Sequence, residues 1–168
     1  MKEIITAGLL FVAAPIEAIT TDKPTYGPSE HIQCLAMNMY HEARDQGTAG
    51  KLAVSAVVLN RVNDKRFPNS VCEVVLQAQM KPSWRDGTPI PIRNKCQFSW
   101  YCDGKSDELK EESAVDIAQR LAWLVMNGHI FDFTENATHY HANYVAPRWA
   151  KKKIKIVQID DHIFYRDK

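Results

Sequence analysis

Charge of either sign is nearly cancelled in this chain of 168 residues: 21 Lys and Arg stand against 20 Asp and Glu, for a formal net charge of +1. That balance removes the global argument for a nucleic-acid or membrane-surface protein. Glycine and proline, at 7 and 8, are not in excess, which excludes collagen-like and low-complexity chains. There is no Gly-x-Ser-x-Gly elbow for a serine hydrolase. Neither a His-Glu-x-x-His zinc helix nor a Cys-x2-Cys knuckle occurs. Internal repeats are absent. What remains is 45% hydrophobic and 10% aromatic residues, ample for the core of one domain.

Residues 4–14 form a short apolar run behind Lys2, followed by Pro15 and Glu17, with Ala18 as a small residue at a cleavage position. A spanning helix needs about 20 apolar residues, so residues 1–18 read as a secretory signal, or an N-terminal anchor, ahead of a polar linker over 19–28. Residues 29–168 are the expected folded domain. Four cysteines, Cys34, Cys72, Cys96 and Cys102, fit an exported chain in which three pairings are open. Cys96 and Cys102 bracket a loop short enough to staple, and Cys34 and Cys72 would then tie the first helix to the third. The run Lys151-Lys152-Lys153 with Lys155 and Arg148 is the one local charge excess. Such a run is usually a solvated edge; contact with an anionic wall polymer is the minority reading.

Ser29 is a good N-cap for a first helix that should stop at Gly47 in a left-handed cap. A second helix, from about Ala49 to Val62, is apolar nearly all round and should be central. Ser70 and Glu73 form a capping box for a short third helix ending near Met80. Pro82, Gly87, Pro89 and Pro91 predict an irregular loop over 81–95. A long helix is expected from about Asp107 to Asn127, with Ile117, Leu121, Leu124 and Val125 inward and Gly128 as its stop. Alternation then predicts strands at 139–145, 154–159 and 162–166. Helices first and a small antiparallel sheet last make an α+β domain.

One carboxylate breaks the pattern. Ile32, Leu35, Met39 and Glu42 share a helical face, yet an unpaired ionised carboxylate costs several kcal/mol to bury. Glu42 is therefore either paired, with Arg44 or Arg61, or kept as a proton donor with a raised pKa. Asp45, Asp103 and Asp107 are available as a second carboxylate but sit where solvated loop or capping residues belong. Glycosidases mostly use two carboxylates; one suffices when the substrate brings its own nucleophile. The rival is metal: His139 and His141 share a strand face and, with His41 and Glu42, would make a zinc amidase.

Leu35 to Asn60-Arg61, Phe67 to Val75, Gln97-Phe98-Ser99, Ala137 to His141 and Asp161 to Tyr165 together resemble the SleB-type cell-wall hydrolases, known from spore-cortex lysis and from phages. The resemblance implies a lysozyme-related fold and muramidase-type cleavage of peptidoglycan, mainly as a lytic transglycosylase. It implies Glu42 of Glu-Ala-Arg as the catalytic residue. Gln97, Phe98, Ser99, Tyr140 and His141 are then expected to bind substrate, with Trp100 as a further ring for sugar faces. Arg44, Asn60 and Arg61 would orient Glu42 or hold the second helix. No metal or other cofactor is expected, and peptidoglycan glycan strands are the expected partner of a monomer without a stable membrane span. No separate wall-binding module is expected beside the domain. The disulfide-ready loop favours a phage endolysin or a periplasmic wall-remodelling enzyme over a germination enzyme, acting in the periplasm or cell wall. The alternatives are an N-acetylmuramoyl-L-alanine amidase and a non-catalytic glycan-binding module.

Overall fold

A computed structural model describes residues 29–168; the expected signal and linker lie outside the described residues. Four helices, α1 (Glu30–Ala43), α2 (Thr48–Val62), α3 (Val71–Val75) and α4 (Glu112–Met126), pack around one core. Two sheets accompany them. A hairpin of β1 (Ala78–Pro82) and β2 (Pro89–Cys96) stands between α3 and α4. An antiparallel sheet in the order β3-β5-β4 closes the chain, from β3 (His139–Ala142), β4 (Ile154–Ile159) and β5 (His162–Arg166). This is the expected α+β class.

The central place of α2 follows from its composition. Val58 faces the helical core, while Ala53, Val54 and Val57 meet Ala43, Ala137 and Phe164 in a second cluster beneath the C-terminal sheet. Ser29 caps α1 by accepting the Ile32 amide, and Ser70 accepts that of Glu73 at α3. Gly128 has φ +73 and ends α4 as expected. Both disulfides follow the short-staple pairing, Cys34–Cys72 between α1 and α3 and Cys96–Cys102 across the 3-10 turn Ser99–Cys102.

Several expectations are corrected. Residues 81–95 are not irregular: Pro82 ends β1, Pro89 opens β2, and the two pair with each other. In a two-stranded sheet both strands have an open edge, where a missing N–H is tolerated. The turn between them closes through Ser83 and Thr88, with Gly87 at φ +74. α3 consequently stops at Val75, because the chain must turn into β1. α1 ends at Ala43, and Gly47 is extended rather than left-handed, serving as the N-cap of α2. The reason is a distant carboxylate: Asp160 Oδ2, in the β4–β5 turn, accepts the amides of Gly47 at 2.9 Å and Gly50 at 3.2 Å. An anion thus meets the positive end of α2. α4 begins at Glu112 rather than Asp107, since the Tyr40 hydroxyl accepts the Lys110 and Glu111 amides just ahead of it. Its buried line is Ala118, Ala122 and Val125, and Ile117 is 47% exposed. The two alanines bring α4 close to α1, and that approach sets the face.

Candidate active site

The α1 stripe runs as the sequence pattern predicts: Ile32, Leu35 and Met39 are buried, and Glu42 is half-buried at its end. β3 supplies its partner. The Tyr140 hydroxyl donates to Glu42 Oε2 at 2.8 Å, and Oε1 has no hydrogen-bond partner among the described residues. Burial raises the Glu42 pKa; the Tyr140 hydrogen bond and the Arg61 charge pull it back without cancelling the rise. Tyr140 is itself raised well above an ordinary phenol, by burial and then by Glu42, so it stays a donor. Its ring is set edge-on to His162 at 5.1 Å and lies 5.5 Å from Phe164.

Arg61 stands behind this pair. It is 3% exposed, and its guanidinium lies 5.2 Å from the Phe98 ring centroid and 5.4 Å from that of Phe67. Arg61 Nε donates to the Thr138 carbonyl at 2.8 Å, while the buried Nη1 has no partner. Burial draws its pKa down, but a guanidinium keeps its proton in proteins. A fixed positive charge, a phenol and a protonatable carboxyl therefore converge from α2, β3 and α1. Such a carboxyl can give a proton to a leaving oxygen and take one back.

Other sequence-predicted residues divide into those at this centre and those away from it. Phe98 is buried beneath Arg61 and is a packing residue rather than an open sugar platform. Trp100 is likewise buried, donating Nε1 to Asn38 Oδ1 at 3.0 Å and stacking on His41. Gln97 and Ser99 alternate with them and are exposed. Arg44 does not turn to Glu42: Nη1 donates to the Tyr40 hydroxyl and pairs with Glu111 at 3.3 Å. Asn60 donates to Asp132 and to the Ala137 carbonyl, tying α2 to the segment before β3. His141 lies on the opposite face of β3 from Tyr140, with Nε2 at 2.9 Å from the Tyr165 hydroxyl. That face also carries His139 under Trp149. His41 binds the Asp107 carbonyl on another side again. The four donors of the zinc reading are thus not brought to one point, and no three metal-binding side chains cluster among the described residues.

Asp45 and Asp103 pair with their neighbours Gln46 and Lys105. No second carboxylate is bonded to Glu42, Tyr140 or Arg61 among the described residues. His162, Phe67 and the Thr138 carbonyl are supports to which the sequence reading assigns no role, although all three lie in the stretches that carry the family resemblance. The local sign of His162 is its place in the β5 alternation, on the Phe164 face.

Comparison with known proteins gives the family. The cell wall hydrolase family profile matches residues 45–165, beginning just after Glu42. The spore cortex-lytic enzyme of Bacillus subtilis (strain 168) is 35% identical over 149 residues, covering 88% of this chain and 41% of that protein. The chain spans about two-fifths of the length of the first curated relatives it matches. Among solved structures, the catalytic domain of the germination-specific lytic transglycosylase SleB from Bacillus anthracis aligns with a TM-score of 0.61 at 28% identity. It covers 83% of this chain and 98% of that one. The catalytic domain of the Bacillus cereus SleB protein aligns with a TM-score of 0.56 at 29% identity, covering 83% and 93%.

Proposed function

Since this chain belongs to the cell wall hydrolase family, we propose that it cleaves the bond between N-acetylmuramic acid and N-acetylglucosamine in peptidoglycan as a lytic transglycosylase. Protonated Glu42 gives its proton to the glycosidic oxygen as the bond to the muramic anomeric carbon breaks. The resulting carboxylate takes the proton of the muramic acid 6-hydroxyl, whose oxygen closes on that carbon. The products are a 1,6-anhydro end and a free hydroxyl on the departing strand, with Glu42 protonated again. Tyr140 holds Glu42 Oε2, and the Arg61 charge steadies the carboxylate between the two transfers.

The observation that carries this reading is the half-buried carboxyl of Glu42, with its raised pKa and one donor, unaccompanied by a bonded second carboxylate among the described residues. Residues 29–168 are read as the catalytic domain of an exported enzyme, monomeric and acting in the periplasm or wall, with residues 1–18 as its signal or anchor. No helix among the described residues is long and apolar enough to cross a membrane. A phage endolysin or a wall-remodelling enzyme is the favoured setting.

The test is mass spectrometry of the soluble fragments released from purified peptidoglycan by wild type and Glu42→Gln. Anhydro-muropeptides from the wild type alone are expected, because an amide cannot donate the proton. Reducing ends would mean a hydrolase, and free stem peptides an amidase; either overturns the proposal.

A further inference from the structure

The β1–β2 hairpin has a composition that its structural role does not require. Its turn carries Trp84, 86% exposed, with the Arg85 guanidinium 5.1 Å from the ring centroid. A large ring left in water with a cation on its face is a ready surface for another molecule. Lys81, Arg85, Arg93 and Lys95 are all exposed, and none forms an ion pair among the described residues. Asp86 is the hairpin's one acid, and its carboxylate is used within the turn by Thr88. The hairpin is thus a cationic arm in a chain that is otherwise close to neutral.

Its base opens onto a polar hollow of about 310 Å³ lined by Gln77, Ala78, Gln79, Lys95, Cys96 and Gln97. Three amides and an ammonium suit the acetamido, hydroxyl and carboxylate groups of a wall polymer. Gln77 Oε1 there is buried without a partner. The Cys96–Cys102 disulfide fixes the foot of β2, and Phe98, two residues on, lies beneath Arg61 of the catalytic centre. Ala78 pairs with Cys96 and Pro82 with Pro89, the surplus residues of β2 forming a bulge, so at about 3.3 Å per residue the turn stands roughly 13 Å from that foot.

We infer that the β1–β2 hairpin is a distal binding arm for the peptidoglycan strand, with Trp84 stacking on a sugar and the cationic side chains meeting stem-peptide carboxylates. The inference rests on peptidoglycan being the substrate. Because the turn stands beyond the foot of the hairpin, Trp84 meets sugars outside the cleaved bond, and the contact is made by strands longer than the unit being cut. A membrane surface fits less well: Trp84 and Met80 are the only large exposed apolar side chains on the arm, too few for an interfacial face.

The test uses full-length Glu42→Gln protein, which holds the strand without cutting it, and soluble glycan chains of several disaccharide repeats. Adding Trp84→Ala is expected to weaken binding about three- to tenfold, the size of one aromatic contact, and Trp84→Phe to restore most of it. In otherwise wild-type enzyme, Trp84→Ala is expected to raise KM on long strands by at least threefold more than on a tetrasaccharide. Trp84 is exposed, so melting temperatures should match. Equal binding by the parent and Trp84→Ala proteins overturns the arm alone. Glycan that fails to bind the Glu42→Gln parent overturns the substrate reading and the arm together. Sedimentation with phosphatidylglycerol vesicles that depends on Trp84, beside unchanged glycan binding, assigns the arm to a membrane and also overturns it.

Discussion

Glu42 and Tyr140 hold opposite ends of one hydrogen bond, and its removal has a definite sign. Burial raises the Glu42 pKa, and the Tyr140 hydroxyl opposes the rise. An acid catalyst works only while protonated, so activity falls as pH climbs through that raised value. Tyr140→Phe removes the opposing bond and should move the alkaline limb of the kcat/KM profile to higher pH, with lower activity throughout. A pH–rate profile of the two proteins checks this; an unmoved or acid-shifted limb would contradict the geometry. Stability carries the same sign. A carboxyl whose folded pKa lies above its unfolded one stabilises the fold below the ordinary carboxylate value near 4. That contribution is lost as pH rises through the raised pKa. Glu42→Gln should therefore melt higher than wild type in alkaline buffer and equal it in acid, read by calorimetry across pH. Arg61→Met should instead melt lower at every pH, because it leaves the Thr138 carbonyl buried without its donor, at about 1–3 kcal/mol.

At the scale of elements, the start of α2 depends on a turn over a hundred residues away. Asp160→Ala removes both amide bonds to Gly47 and Gly50 and should cost about 1–2 kcal/mol, as loss of a cap does. Gly50→Ala should cost less: its Cβ would stand 2.5 Å from Asp160 Oδ2 and push the carboxylate off the amides, but alanine returns about 1 kcal/mol of helix propensity; urea unfolding ranks the two. This cap also shows where the sequence was legible and where it was not. Periodicity and local caps carry α1, α2 and the C-terminal strands, because each is written in neighbours: the stripe ending in Glu42, the Ser29 hydroxyl, the 154–166 alternation. The conformation of Gly47 is not legible locally, because its partner is Asp160, which no local pattern connects to it. Nor is the hairpin, because prolines veto strands only where both edges are paired, and pairing is a tertiary fact. The same holds at the site. Glu42 announces itself as a charge on an apolar face, and Arg61 as a charge within a buried helix. Nothing local tells that Arg44 turns to Glu111, or that His141 faces away from Tyr140.

For the whole molecule, the disulfides divide the stabilising work unequally. Cys34–Cys72 closes a separation of 38 residues, and Cys96–Cys102 one of 6. Loop-closure entropy assigns them about 4 and about 2 kcal/mol. Cys34→Ala/Cys72→Ala should therefore lower the urea midpoint more than Cys96→Ser/Cys102→Ser. The second pair, at the foot of the hairpin, should lower activity on polymeric peptidoglycan by more than its stability loss explains. Equal activity of the oxidised enzyme and the Cys96→Ser/Cys102→Ser protein would sever the link between staple and substrate.

The bond from Tyr140 to Glu42 spans 98 residues, and the cap from Asp160 to Gly47 spans 113. Contacts of such sequence separation form late and are lost together. A chain emerging in order holds its acid from α1 onward, but the phenol that aims it arrives only 98 residues later. Peeling away the last three strands would leave a helical body with an unaimed carboxyl. On the proposed role of Glu42, the acid stays unaimed until β3 is made and docked, and that timing is set by the order of the polypeptide.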